Sequence, residues 1–251
     1  MSTDSEPGSY DQFADAYAQA YDLHQPRGFN YNLDLVIPRL LAVVGPVDGL
    51  TVLDAGCGEG IVSRSFSGTA ARIVGIDSSP RMIAYARERD LTHRIAYLVH
   101  DLSQPLPHAA GTVDLIVSNL VLNDVADYTG FITTLSDLLT PSGRLVLSMN
   151  NPYSAVLREK VVSYFESGAV ARYAFGPIAY YHRTMEDYSR AFEQAGLLLR
   201  RLFDIQMTEA QVAQLPASNQ QFSWFPLYHR FPFMIILDLM KQADFPSRPT
   251  A

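Results

Sequence analysis

The sequence predicts a single α/β domain in which helices flank a mostly parallel β-sheet. Short apolar runs that are typical of buried strands alternate with longer amphipathic runs that are typical of helices. A glycine-rich segment, LDAGCGEG at 53–60, directly follows the first of these apolar runs. The chain has 251 residues, of which 48% are hydrophobic, and this is enough to bury one substantial core.

The N-terminal region is predicted to be helical. Residues 1–9 are polar and acidic, and we expect them to be disordered. Residues 10–23 carry aromatic side chains at spacings of three and four, which places them on one helix face: Tyr10, Phe13, Tyr17 and Tyr21. Residues 32–44 show a second helical pattern, interrupted by Pro38. Residues 10–44 are therefore predicted to form N-terminal helices that could act as a lid.

Residues 45–150 carry the alternating pattern and are predicted to form the ligand-binding core. The predicted strands are 51–54, 72–77, 94–101, 113–119 and 143–150, with helices at about 60–67, 79–89 and 128–139. Ser79 is placed to cap the second of these helices, and Pro80 to occupy its first turn. In such sheets, ligands bind beyond the carboxyl ends of the strands, which is where the glycine-rich loop lies.

The pattern becomes irregular after residue 150. Residues 151–182 and 206–230 are rich in aromatic side chains and are predicted to be insertions that shape a substrate pocket. Between them, residues 184–196 are predicted to form a helix that begins with a capping box of Thr184 and Asp187. Two further strands are predicted at about 197–205 and 231–240.

Composition excludes several classes of partner. The net charge is −7 and no run of Lys or Arg is present, so we expect no nucleic-acid partner. The N-terminus lacks the pattern of a signal peptide, and the longest apolar run, 231–240, is too short to span a bilayer. The single cysteine, Cys57, excludes an internal disulfide. We expect a cytoplasmic monomer or homodimer that has no membrane partner.

The glycine-rich loop indicates the kind of ligand. Taken alone, it is equally consistent with a tight strand-to-helix turn. However, Gly56, Gly58 and Gly60 are evenly spaced by two, unlike the dinucleotide fingerprint G-x-G-x-x-G. Asp54 would repel a pyrophosphate and suits a cationic ligand, and Asp77 ends the next strand, where ribose hydroxyls are commonly bound. These features describe S-adenosylmethionine, a nucleoside sulfonium without phosphate.

Four motifs in order carry a family resemblance: LDAGCGEG (53–60), GIDSSPRMIAYAR (75–87), HDLSQPLP (100–107) and VDLIVSNLVLNDV (113–125). The chain resembles the class I S-adenosylmethionine-dependent methyltransferases, in the small-molecule group that includes ubiquinone- and menaquinone-pathway enzymes. The resemblance runs from about residue 10 to 241 and hardly specifies a substrate. It implies a Rossmann-like fold with a seven-stranded sheet in the order 3-2-1-4-5-7-6, whose last strands form an antiparallel hairpin.

The resemblance also implies roles for individual residues. Asp77 would bind ribose, Asp101 would accept a hydrogen bond from the adenine amino group, and Asn119 would lie beside the methionine portion. The expected cofactor-binding residues are Tyr10, Tyr17, Asp54, Gly56, Gly58, Asp77, Ser78, Met82, Asp101, Leu102 and Asn119. The aromatic helix would close over the cofactor and exclude water, or it would simply pack on the body of the protein.

Substrate and catalytic residues are expected at Asn123, Asn150, Tyr180, Tyr181 and His182. Many relatives carry a histidine base near the fourth motif, and here the corresponding residue is Asn123. A neutral amide orients a substrate but takes no proton, so His182 becomes the candidate base, with an ordinary pKa of about 6.5. We expect His182 to begin the helix at 184–196, where a role in backbone hydrogen bonding is the alternative.

We therefore expect methyl transfer to a small apolar or aromatic metabolite at oxygen, nitrogen or carbon, within secondary metabolism. Two other functions stay open: a family member that binds the cofactor without methyl transfer, as a binding protein or a cyclase, and an NAD(P)-dependent oxidoreductase. The NNPY segment at 150–153 resembles a motif of amino-methyltransferases, but it follows the fifth strand and not the fourth. We expect no metal, because the amides at 119, 150 and 151 are poor sole ligands for a hard dication.

Overall fold

A seven-stranded mixed sheet forms the centre of the protein. The computed structural model describes residues 10–21, 28–106, 110–157, 161–172, 178–215, 227 and 229–242. The strands are β1 (Thr51–Ala55), β2 (Arg72–Asp77), β3 (Ile95–Val99), β4 (Val113–Asn119), β5 (Leu139–Asn150), β6 (Gly168–Arg172), β7 (Ile178–His182), β8 (Leu197–Ile205) and β9 (Met234–Lys241). The expected disorder of residues 1–9 lies outside the described residues, as do residues 216–226 and 228 of the insertion expected at 206–230.

The order of the large sheet is β3-β2-β1-β4-β5-β9-β8. Strands β1 to β5 pair in parallel, whereas β9 is antiparallel to both β5 and β8. Since β8 and β9 are the sixth and seventh strands of this sheet in chain order, the expected order 3-2-1-4-5-7-6 is confirmed. The carboxyl ends of β1, β2, β4, β5 and β8 all meet at one edge, which we call the carboxyl edge.

Helices cover both faces of this sheet. They are α1 (Tyr10–Ala20), α2 (Ile37–Val44), α3 (Ile61–Arg64), α4 (Pro80–Arg89), α5 (Tyr128–Leu138), α6 (Ser154–Leu157), α7 (Met185–Gln194) and α8 (Glu209–Ala213). A π-helical turn, Asn32–Val36, precedes α2, and a 3₁₀ turn, Leu122–Asp124, follows β4. The helix predicted at 32–44 is therefore two segments, with Pro38 in the first turn of α2, where a proline costs no helical hydrogen bond.

The predicted helix starts are confirmed by their caps. The hydroxyl of Ser79 accepts a hydrogen bond from the Met82 amide at 3.1 Å, and Pro80 is the first residue of α4. Thr184 and Asp187 form both halves of a capping box at the start of α7. By contrast, α3 has only four residues and ends at Arg64, so the prediction of a helix over 60–67 was too long.

The core consists of two apolar layers, one on each face of the large sheet. Adjacent residues such as Val52 and Leu53, or Ile236 and Leu237, belong to different layers, because successive side chains of a strand point to opposite faces. Helix α2 packs into one layer, and α5 and α7 pack into the other. Strands buried on both faces read as continuous apolar runs, which is why their positions were predictable.

A second, two-stranded sheet was not predicted. Strands β6 and β7 pair antiparallel within the segment that the sequence suggested was irregular, and β7 contacts the 3₁₀ turn after β4. His182 is the last residue of β7, so the expectation that it begins a helix was wrong. The Gly176–Pro177 dipeptide, a turn signal between two short runs, was the available clue.

Candidate active site

A cavity with a volume of about 710 Å³, part of it open to solvent, lies beyond the carboxyl edge of the sheet. The loops after β1, β2, β3 and β4 supply most of its wall, and α1 supplies the remainder. Its lining residues are Tyr10, Tyr17, Gly56, Gly58, Ile76, Asp77, Ser78, Met82, His100, Asp101, Leu102, Asn119, Leu120, Val121, Asp124, Val125 and Phe131. We call this the first cavity.

The first cavity brings together all of the expected cofactor-binding residues except Asp54. The expected substrate residues Asn123, Asn150, Tyr180, Tyr181 and His182 are not among the lining residues that the structure describes. Conversely, Asp124 and His100 both line this cavity, although sequence reasoning did not expect either to bind the cofactor or the substrate. Their positions in the segments that follow β4 and β3 were the signal that pointed to them.

The glycine-rich loop turns tightly between β1 and α3. Gly56 has a φ of 74° and Gly58 a φ of 53°, both in the left-handed region that side chains disfavour. A Cβ on Gly56 would meet the side chain of Val121, so the loop and the segment after β4 can pack only because this side chain is absent. The amides of Gly56 and Cys57 both donate hydrogen bonds to the Ile76 carbonyl, at 2.8 and 3.0 Å.

The Asp77 carboxylate joins this loop to the start of α4. Its Oδ2 accepts a hydrogen bond from the Gly58 amide at 2.9 Å, and its Oδ1 accepts one from the Ser79 amide at 2.9 Å. Burial raises the pKa of Asp77, while these backbone donors partly offset the effect. The two donors hold the carboxylate at the cavity wall in one orientation.

Asp54 lies beneath the glycine-rich loop and not on the cavity wall. Its side chain is buried, and its Oδ2 accepts a hydrogen bond from the Ser63 hydroxyl at 2.6 Å. Burial raises the pKa of Asp54 to about 7, although the hydrogen bonds from Ser63 act in the opposite direction. The charged form of Asp54 is therefore costly unless positive charge is nearby.

A buried ion cluster links the glycine-rich loop to α1. Glu59 Oε2 accepts hydrogen bonds from Arg64 and Arg89, each at 2.8 Å. Arg89 also donates to the backbone carbonyl of Ala18 in α1 at 2.9 Å. Among the described residues, Glu59 Oε1 is buried without a hydrogen-bond partner. Arg89 thus contacts both the loop and the helix that covers the cavity.

Helix α1 is fastened across the first cavity at its N-terminal end. The Tyr10 hydroxyl donates to Asp124 Oδ2 at 2.6 Å, which spans from α1 to the segment after β4. Asp11 accepts from the Ser79 hydroxyl at 2.8 Å and from the Arg81 amide at 3.0 Å. The Tyr17 ring packs edge-on against Tyr10. Helix α1 therefore both packs on the body of the protein and forms one wall of the cavity.

Polar contacts hold the end of β4 and the segment after it from behind. Asn119 Oδ1 accepts a hydrogen bond from the Ser148 hydroxyl at 2.7 Å. Asn123 points away from the cavity: its Nδ2 donates to the Tyr188 hydroxyl at 3.2 Å, and its Oδ1 accepts from the Asn150 amide at 2.9 Å.

Arg183, just after β7, makes the largest set of these contacts. Its guanidinium donates to three backbone carbonyls of the segment after β4, those of Leu122, Val125 and Ala126, at 3.3, 2.6 and 2.8 Å. It also lies over the rings of Tyr128 and Tyr181, at 4.2 and 5.0 Å from their centroids. A guanidinium suits this position because its fixed fork of donors matches several carbonyls at once.

His182 is fully buried beside this segment. Its Nε2 lies 2.8 Å from the Tyr164 carbonyl oxygen. Since a carbonyl can only accept, Nε2 carries a proton, and in the neutral tautomer Nδ1 is then the acceptor nitrogen. Among the described residues, Nδ1 is buried with no hydrogen-bond partner. The part of the chain that the structure describes holds no group of three or more His, Cys, Asp or Glu side chains arranged for a metal ion.

Comparison with known proteins identifies the family. Residues 53–147 match the family model described as a methyltransferase domain. A ubiquinone biosynthesis O-methyltransferase from Xanthomonas oryzae pv. oryzae (strain PXO99A) is 30% identical over 173 residues, which cover 64% of this chain and 72% of that protein. The chain belongs to the S-adenosylmethionine-dependent methyltransferases. The family's cofactor is S-adenosylmethionine.

Two further methyltransferase relatives define how far the likeness extends. A ubiquinone biosynthesis O-methyltransferase from Xanthomonas axonopodis pv. citri is 33% identical over 116 residues, 45% of this chain and 48% of that protein. The chain thus spans about half of the length of that relative. The crystal structure of an S-adenosylmethionine-dependent methyltransferase from Mesorhizobium loti has a TM-score of 0.66 at 24% identity, covering 81% of this chain and 96% of that one. This likeness shows the class I fold.

Asp54→Asn tests the cost of the buried carboxylate. The pKa of Asp54 is raised from 3.8 to about 7 in the fold, so its contribution to stability is greatest at low pH and is lost as pH rises through about 7. The neutral amide of the variant does not titrate, so its contribution to stability does not change with pH. The quantity to measure is the thermal unfolding midpoint of Asp54→Asn minus that of wild type, both without ligand. We expect this difference to rise from about pH 5 to about pH 8.

Asp137→Asn, at an exposed carboxylate of α5, is the matched control, and its difference from wild type should stay flat across this range. An Asp54→Asn difference that is equally flat would contradict the raised pKa.

Tyr10→Phe tests the contact between α1 and Asp124. The substitution removes one hydrogen bond to a carboxylate and keeps the aromatic ring, so α1 should open more often. We expect the affinity for S-adenosylhomocysteine, measured by calorimetry, to fall about threefold to thirtyfold. Hydrogen exchange of the α1 amides should become faster. Tyr153→Phe, at an exposed tyrosine outside the first cavity, should change neither quantity. Unchanged affinity in Tyr10→Phe would leave α1 with a packing role alone.

Proposed function

We propose that this chain transfers the methyl group of S-adenosylmethionine to a small metabolite with an apolar or aromatic body. One observation carries the proposal. The described lining of the first cavity includes three carboxylates, Asp77, Asp101 and Asp124, and neither Lys nor Arg. This acidic wall suits a sulfonium cation that also bears an ammonium group. It would repel the pyrophosphate of a dinucleotide.

The proposed placement of the cofactor follows the strand ends. The Asp77 carboxylate would hold the ribose hydroxyls, because it accepts one backbone hydrogen bond on each oxygen and each oxygen has further lone pairs. Residues that follow β2 and β3 would hold the adenine, and the glycine-rich loop and the end of β4 would hold the methionine portion. The other contact residues in this proposal are Tyr10, Tyr17, Gly56, Gly58, Ser78, Met82, Asp101, Leu102 and Asn119. Asp54 acts from beneath the loop through its charge.

When bound, S-adenosylmethionine supplies an electrophilic methyl group: an acceptor lone pair forms the new bond to the methyl carbon, and the carbon–sulfur bond breaks with its electron pair going to sulfur. The side chains of this protein contribute alignment and the exclusion of water. Tyr10 and Tyr17, whose rings line the first cavity, would add an aromatic wall beside the cationic centre. Asp124 accepts the hydrogen bond from Tyr10 and so keeps helix α1 in place over the first cavity.

A protic acceptor must also lose a proton, and two described groups are candidates to take it. His182 offers an unprotonated Nδ1, but it lies behind the cavity wall and would need a bound water or the substrate itself to reach it. Asp124 already faces the first cavity. Asn123 and Asn150, which hydrogen bond to each other, support the wall between these two groups, and Tyr180 and Tyr181 lie on the strand that leads to His182. We propose His182 as the base and Asp124 as the alternative.

We further propose that the protein works in the cytoplasm as a monomer or homodimer, without a nucleic-acid or membrane partner, within secondary metabolism. The net charge of −7 and the acidic cavity support a partner other than nucleic acid. Among the described residues, no helix has the length and apolarity needed to cross a bilayer.

Asp77→Ala tests the cofactor site. Each hydrogen bond to this carboxylate contributes about 1.5–3 kcal/mol, so the affinity for S-adenosylhomocysteine should fall at least about tenfold in calorimetry. Asp137→Asn serves as the control and should bind normally. A folded Asp77→Ala protein with wild-type affinity would place the cofactor elsewhere. Wild-type protein that binds NAD and not S-adenosylhomocysteine would refute the proposed function.

His182→Gln tests proton removal. The amide keeps the hydrogen bond to the Tyr164 carbonyl but offers no basic nitrogen. On a metabolite that wild-type protein methylates, detected by mass spectrometry as a gain of one CH₂ unit, turnover should fall about 10²–10⁴-fold with unchanged cofactor affinity. Asp124→Asn shows whether the carboxylate takes this role. Turnover near wild type in both variants would indicate an acceptor that is already nucleophilic.

Absence of any methylated product, together with normal cofactor affinity, would favour the binding protein or cyclase.

A further inference from the structure

A second, smaller cavity, of about 430 Å³ including space that is open to solvent, lies at the same edge of the sheet. Its described lining residues are Tyr31, Leu35, Val36, Ile205, Met207, Leu215, Phe233 and Met234. They come from the π-helical turn before α2, from the end of β8 and the segment after it, and from the start of β9. Met234 pairs with Asn150 on one side and with Ile205 on the other, which places this second cavity at the carboxyl edge.

The described lining of the second cavity carries no charged side chain, and Tyr31 supplies its one polar group. Two of the lining residues are methionines, whose flexible side chains adapt to irregular apolar shapes. Small-molecule sites have this character, with an apolar wall and few polar groups. An uncharged aliphatic or aryl body would fit, and a charged one would lose its hydration without compensation.

The π-helical turn also contacts residues that line the first cavity. Its first residue, Asn32, is 1% exposed, and its Oδ1 accepts a hydrogen bond from Asn119 Nδ2 at 3.1 Å, so it contacts a residue that lines the first cavity. Its Nδ2 donates to the Tyr21 hydroxyl at 3.1 Å, and the Tyr21 ring stacks on Tyr17, which also lines the first cavity. Asn32 therefore joins the turn that lines the second cavity to the wall of the first cavity.

The same turn faces the second cavity with Tyr31, Leu35 and Val36. A π-turn is rare within helices and is frequently found at functional sites, because its wider spacing re-aims the side chains around it. Here the turn supplies both the polar residue at the border of the first cavity and the apolar wall of the second.

We propose that the second cavity binds the apolar body of the methyl acceptor, with Asn32 and Asn119 at the passage through which its nucleophilic end reaches the first cavity. The acceptor is then a neutral aryl or aliphatic compound that carries one polar group at the end nearest Asn32. This inference rests on the proposed function and specifies its acceptor. Met207 and Leu215 belong to the insertion at 206–230 that the sequence suggested would shape a substrate pocket.

The test uses the neutral fluorescent probe N-phenylnaphthylamine and a series of para-alkylphenols that displace it. In wild-type protein saturated with S-adenosylhomocysteine, we expect one probe per chain. Each added CH₂ in the alkyl chain should improve displacement up to about fourfold, since burying one CH₂ contributes about 0.8 kcal/mol.

Two variants alter the second cavity in different ways. Leu35→Trp fills it, and Met207→Lys places a charge in it. Both should weaken probe binding at least about tenfold and remove the dependence on alkyl length, while calorimetry shows unchanged affinity for S-adenosylhomocysteine. Leu198→Trp, at an exposed leucine of β8, is the matched control and should bind the probe normally.

Failure of this inference is distinguishable from failure of the proposed function. Wild-type protein that binds S-adenosylhomocysteine but not the probe would overturn the inference alone. The inference would also be overturned if Leu35→Trp and Met207→Lys melted like wild type and bound the probe as tightly as wild type does. Wild-type protein that does not bind S-adenosylhomocysteine would overturn the proposed function and, with it, the acceptor role of the second cavity.

Discussion

The two hydrogen bonds that the Asp77 carboxylate accepts fix the geometry on which the first cavity depends. One donor, Gly58, belongs to the loop after β1, and the other, Ser79, caps α4 after β2. The carboxylate therefore joins the ends of two parallel strands and the start of a helix at one point. Because a parallel sheet brings its carboxyl ends to one edge, a single acidic residue can organise loops that are far apart in sequence.

The same region of the protein contains charge that is costly to bury. Burial raises the pKa of Asp54, because no cation pairs with its carboxylate among the described residues. The buried carboxylate of Glu59, by contrast, forms ion pairs with Arg64 and Arg89. Buried ion pairs of this kind contribute little net stability, because desolvation offsets their attraction. The two arginines already exceed the charge of Glu59, so Asp54 is the carboxylate near the glycine-rich loop whose charge a bound cation would compensate.

Sequence reasoning predicted those features that depend on local chemistry. Strands β2 and β4 are found at their predicted bounds, because strands buried on both faces are continuous apolar runs. The helix caps at Ser79 and Thr184 were recognisable because each cap depends on only a few neighbouring residues. The family motifs then placed the strand-end residues around the first cavity.

Features that depend on distant contacts were not predictable in this way. Sequence spacing showed that Asn123 and Asp124 both follow β4, but a 3₁₀ turn decides that Asp124 faces the first cavity while Asn123 turns back toward Tyr188. The hairpin of β6 and β7 was missed because it is short and pairs away from the large sheet. Asp54 was expected to contact the ligand, but the loop that it precedes covers it.

The way in which the β6–β7 hairpin is attached affects how the sequence of such a protein can change during evolution. Arg183 fastens the end of β7 to the segment after β4 through the carbonyls of Leu122, Val125 and Ala126, and every amino acid has a carbonyl at that place in its backbone. Side chains in the segment can therefore be exchanged during evolution without loosening the joint. An insertion anchored in this manner can change its own sequence while the residues around the glycine-rich loop stay under separate selection.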